Sequence, residues 1–122
     1  MTVVQMPTLS RSQWTLAEQE LADAVERTGH PRLEEHLMWA DRFLADAPAP
    51  NQIWANRMAA IAVIAVRRAD ISPTRARRAI YLDAADAAHR LLDLAYRVHG
   101  AVPDETAQVV LAGMGQAELE KA

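Results

Sequence analysis

Alanine fills 25 of the 122 positions in this chain, against 4 glycines and 6 prolines. Alanine is the best helix former, whereas strands favour β-branched and aromatic side chains, so the composition excludes an all-β domain. With 51% apolar and 24% charged residues the chain has ordinary globular composition and can build a core. Its length suits one domain. The absence of cysteine excludes a disulfide framework, a thiolate metal site and a cysteine nucleophile.

The longest apolar run covers residues 58–66, between Arg57 and Arg67. A bilayer span needs about 20 such residues, so this run reads as a helix buried in protein. Residues 1–7 carry neither a basic start nor a long apolar stretch, and no signal peptide is expected. These features lead to the expectation of a cytoplasmic protein with no membrane partner.

Caps and periodicity divide the chain into five helical segments behind a flexible N-terminus at residues 1–9. Ser10 with Gln13 forms a capping box, and Leu9 with Trp14 occupies the positions of a hydrophobic staple. Thr15 with Glu18 offers a second start one turn later. Trp14, Ala17, Leu21 and Val25 make the first apolar stripe, and Gly29 ends it. Pro31 opens the second helix, whose stripe is Leu33, Leu37, Ala40 and Leu44. The prolines at 48 and 50 make a short stiff linker.

Asn51 can cap a third helix running to Arg68 or Ala69, and its middle is apolar all round. Ile61 and Ile64 should both be largely buried there. Ser72 and Pro73 fit the cap and first position of a fourth helix ending at Gly100. A fifth helix is expected from Pro103, with Asp104 and Glu105 in its first turn; Gly113 and Gly115 predict fraying after Ala112.

The fourth helix carries the most information. Ile80, Ala84, Ala87, Leu91, Leu94 and Val98 alternate by four and three residues, and Tyr81, Ala88, Leu92 and Ala95 widen the apolar arc. An arc that wide means either a central helix or one that also faces a second subunit. The polar remainder pairs Asp86 with Arg90 and Asp93 with Arg97, as a solvated, salt-bridged face would. Alanines at 84 and 88, with Tyr81, Leu92 and Ala95, are the expected surface of a homodimer.

Catalytic chemistry finds little foothold. Asp86 and His89 share a helix face as in half of a carboxylate-bridged metal pair, yet no second pair exists. His36 and His89 sit at the borders of apolar stripes, where a locally bonded histidine is the commoner outcome. Gly113-x-Gly115 lacks the strand and third glycine of a phosphate cradle. Glu34 and Glu35 are adjacent, so their carboxylates diverge on a helix. Met38 and the three tryptophans lie on or beside apolar stripes and read as core. No catalytic residue, cofactor or metal ligand is assigned.

Charge is unevenly distributed. Residues 1–50 hold four arginines and eight acids, residues 51–78 six arginines and one acid, and residues 79–122 three cations and seven acids. The positive block is concentrated in Arg67, Arg68, Arg75, Arg77 and Arg78. This junction has the outline of a helix-turn-helix, in which arginines at a helix start reach bases or phosphates. Asp70 stands where glycine is usual, and the following helix is long for a compact reader of DNA. The competing account pairs these arginines with acids on the bundle or on another subunit.

The expected fold is therefore an all-α, single-domain bundle of four to five helices over residues 10–122, with the third helix buried at its centre and a long fourth. The leading functional expectation is a non-enzymatic interaction or assembly module that self-associates through the fourth helix. A nucleic-acid-binding regulator using the arginines is the alternative. A small helical enzyme or ligand-binding protein with a pocket near His36 or His89 is the third.

Overall fold

The computed structural model describes residues 11–46 and 49–121. It contains α1 (Arg11–Thr28), α2 (Pro31–Asp46), α3 (Gln52–Ile71), α4 (Arg75–His99) and α5 (Glu105–Lys121), with no strand among the described residues. The expected flexible start, Ser10 of the first capping box, Leu9 of the staple, and Ala47 with Pro48 of the linker lie outside the described residues. Thr15, the alternative cap, falls inside α1.

Several helix ends have an identifiable chemical cause. Gly29, at φ 62°, turns the chain out of α1 in the left-handed conformation that only glycine adopts without strain. The buried Thr28 hydroxyl donates to the Val25 carbonyl at 2.6 Å and accepts from the His30 N–H at 3.2 Å. His30 then starts α2. Its carbonyl accepts from the Leu33 and Glu34 amides, and its ring Nδ1 accepts from the Arg32 amide at 3.3 Å. A neutral imidazole thus does the work usually done by a serine or aspartate cap. Asn51 caps α3 by accepting from the Trp54 amide, as its position predicts.

The α3–α4 connection differs from expectation. Ser72 closes α3 instead of opening α4: its amide donates to Ala69 O and its hydroxyl to Arg68 O. Pro73 lies between the helices, and the Thr74 hydroxyl caps α4 by accepting from the Arg77 amide at 3.1 Å. The fifth helix likewise starts after Pro103, with Asp104 accepting from the Ala107 amide. Asp104 also exchanges two hydrogen bonds with Asn56, fixing the start of α5 to α3. Beyond Ala112, α5 continues as helix through both glycines.

The packing is a closed ring. α1 meets α2, α2 meets α3, α3 meets α4, and α4 returns to α1; α5 lies on α3. Short connections between ring neighbours give the up-down order of a four-helix bundle. The α3–α4 contact is the most extensive and α1–α2 the least. α3 therefore shares the centre with α4, each burying eight residues, and α1 packs on α4 rather than around α3. Ten of those sixteen residues are alanine, which is what allows two helices to approach closely. Ile61 is fully buried but Ile64 only half, because Ile64 lies outside the arc of α3 that faces α2 and α4.

The expected dimer surface is where the structure departs most from the sequence. Tyr81, Ala84, Ala88, Leu92 and Ala95 are covered within one chain, the most accessible being Leu92 at 8%. The wide arc of α4 exists because α1 lies against one flank and α3 against the other. Those five side chains have no surface left to offer a second copy. No helix among the described residues is long and apolar enough to cross a membrane.

Candidate functional site

Arg77 is the arginine most deeply tied into the fold. Its guanidinium donates to the Thr28 carbonyl at 3.0 Å and to the Tyr81 hydroxyl at 3.3 Å, and it lies 5.3 Å from the Tyr81 ring centroid. The last carbonyls of α1 carry the negative end of its dipole, so a cation there is stabilising. The other edge of this cluster is His30, whose ring meets Tyr81 in a T-shaped contact at 6.3 Å. Partial burial, and then the charges of Arg68 and Arg32, hold its pKa below the usual imidazole value. That keeps Nδ1 free of a proton and able to cap α2.

Arg78 pairs with Asp70 at 3.7 Å. Two of the five junction arginines are thus engaged within the chain. Arg67, Arg68 and Arg75 project from exposed positions at the same end of the bundle. Replacing Arg77 with alanine should cost about 1 kcal/mol of unfolding free energy in urea denaturation. It should leave nonspecific duplex-DNA affinity unchanged, since its guanidinium is already held by the Thr28 carbonyl and the Tyr81 hydroxyl.

A second cluster joins α2 to α3. Arg57 donates from Nη1 to His36 Nδ1 at 3.1 Å and lies 4.4 Å from the Trp39 ring centroid. Trp39 in turn stacks on Phe43 at 5.5 Å with 13° between planes. Burial, followed by Arg57 and Arg32, lowers the His36 pKa, with Glu35 opposing. His36 is therefore a neutral acceptor held by an arginine. His89 and Asp86 are exposed on α4. No group of three His, Cys, Asp or Glu side chains that could hold a metal occurs among the described residues.

The feature that sequence reading missed lies along the α1–α2 seam. Two depressions, of about 240 and 270 Å3, share Ala22, Leu37 and Asp41 and so form one groove. Its deep part reaches the bundle axis, where Trp54, Met58 and Leu91 form the floor. Acids stand on both walls, Glu18 and Glu26 from α1 and Glu34 and Asp41 from α2.

Partial burial of its carboxyl against the groove raises the pKa of Asp41 above its usual 3.8, although the residue as a whole is exposed. Glu18 is raised above 4.5, first by burial and then by the charge of Asp41, while the Trp14 indole N–H bonding to its carboxylate pulls the other way. Both groups are therefore less comfortable ionised here than in water. α1 and α2 share the least contact in the ring, and the groove between them is the depression whose floor is Trp54, Met58 and Leu91; shallower hollows also lie between α1 and α4.

The linkage follows from the direction of these shifts. As pH rises, Asp41 in the unfolded chain ionises first, so folding loses free energy until the folded carboxyl has also ionised. Above that point the penalty is complete and constant. Asp41→Asn should therefore raise the melting temperature at neutral pH, and the gain should vanish as pH falls below 3.8. Equal melting temperatures at neutral pH would show that the groove imposes no cost on the carboxylate.

Glu18 and Asp41 are 23 positions apart on separate helices, so no spacing in the sequence links them. No protein-family model, curated protein or solved structure matches this chain.

Proposed function

We propose that the chain is a non-enzymatic helical interaction and assembly module that associates with copies of itself. The observation that carries this reading is the open α1–α2 seam: an apolar-floored groove with acids on both walls, in a molecule whose opposite charge is concentrated at the α3–α4 junction. Grooves between helices are places where a second protein element can rest, and complementary charge gives such contacts their specificity. The histidines support the same reading, since His30 and His36 are each used as hydrogen-bond acceptors inside the fold. Sedimentation over a rising concentration series is the test. A species heavier than the 13.5 kDa chain is expected, and a monomer at every concentration would end the proposal.

A nucleic-acid-binding regulator is the second reading, favoured by the exposed Arg67, Arg68 and Arg75 at one end. If all three neutralise phosphates, the log–log salt slope of duplex binding should be near −2.7, from about −0.9 per phosphate. The acids that dominate both flanking segments oppose this reading. Tight, salt-sensitive duplex binding by the intact chain would promote it.

A further inference from the structure

We infer that one copy docks its α3–α4 junction, with Ile71 as an apolar knob and Arg67 and Arg68 beside it, into the α1–α2 groove of another copy. This rests on the self-association reading and assigns it a surface on each side.

Ile71 closes α3 with 69% of its surface exposed. Arg67 and Arg68 precede it by four and three residues, which places them next to it on the helix surface. The knob is thus apolar at its tip and cationic at its base. The groove has the complementary arrangement. Leu37, Ala22 and the half-exposed Met38 offer apolar surface, and a methionine adapts to an incoming side chain. Asp41 and Glu34 stand beside that surface, placed to meet guanidinium groups. Burying charges of one sign near an arginine-bearing surface relieves what each surface suffers alone.

The two patches occupy different parts of the molecule. Arg77 bonds to Thr28 at the end of α1, so the junction sits at the end of the bundle beside the α1–α2 turn. The groove opens on the α1–α2 flank: one part begins within a turn of that end, at Val25, Glu26 and Glu34, and the deep part lies farther along at Thr15, Glu18 and Asp41, while Ile71 stays exposed outside both. Each contact therefore takes the junction from one copy and the groove from the other. Two such contacts made reciprocally close a dimer, and single contacts made in succession extend a chain of copies.

Two variants test it, both at exposed positions so that the fold persists: Ile71→Asp in the junction, and Glu34→Lys with Asp41→Lys in the groove. A cooperative circular-dichroism melt with the helical signal of the unaltered chain establishes that each is folded, whatever its midpoint. Each variant alone should associate at least about tenfold more weakly than the unaltered chain, and raised salt should weaken the unaltered chain similarly. Mixed in equal amounts the two variants should regain a complex, because one supplies an intact groove and the other an intact junction.

If the unaltered chain associates but neither variant weakens it, self-association stands and this docking is wrong. Loss in both variants without recovery on mixing also overturns it, since an intact groove and an intact junction would then be present together and fail to bind. A monomeric unaltered chain overturns the docking and the function together. A groove that takes up a synthetic basic amphipathic peptide while the unaltered chain stays monomeric would assign the groove to a foreign helix, against this inference.

Discussion

Changing Trp54 to alanine should lower the unfolding free energy by about 3–5 kcal/mol. Trp54 is 1% exposed, so nearly all of its surface would be lost from the core, and its ring centroid lies 6.0 Å from that of Trp14. The site cannot collapse easily to fill the space. Its neighbours at the axis are held by three helices, and the groove already opens above it. A domain of this size is commonly stable by only about 5–15 kcal/mol, so the change should remove a large share of the total. Urea denaturation followed by circular dichroism measures the difference. A loss below about 1 kcal/mol would mean that the axis of the bundle is not packed around this ring.

Ile61→Ala should cost about 2–5 kcal/mol, through lost transfer energy and the cavity left among its neighbours. The informative comparison is with Ile64→Ala, one turn along the same helix. Ile61 is 0% exposed and Ile64 only half-buried, so the second change should cost clearly less. Equal losses would show that α3 is enclosed on all sides, as its apolar run suggests, rather than on the arc that the ring covers.

The class of fold was readable because helix formation is local. Alanine content, Pro31, Asn51 and the glycines at 29 and 100 each act within a few residues of their own position, and each does what its chemistry dictates. Ser72 shows the limit of such reading. A Ser-Pro pair can start a helix or finish one, because the proline both suits a first turn and forbids the previous helix from continuing. Thr74, two residues on, also carries a hydroxyl that can accept from a helix amide, and it is the residue that caps α4.

What lies between helices was not legible. The arc of α4 showed how much surface had to be covered, but not that α1 and α3 would cover it from two sides. The groove acids reveal themselves through their distance across a seam, and Asn56 with Asp104 through a bond spanning 48 residues. Likewise Arg77 stood among five arginines of identical local character. Only the arrival of the α1 carboxyl end beside it distinguishes it from Arg75.

The largest contact in the ring joins consecutive helices, α3 and α4, across a connection of residues 72–74. Closing so short a loop loses little chain entropy, whereas bringing α1 to α4 spans more than half the sequence. The α1–α4 contact is therefore the costlier of the two to close, and during synthesis it also waits for α4 to be made. The stripe of Trp14, Leu21 and Val25 leaves the ribosome before α4 does, and its α4 cover is not complete until His99 has been made.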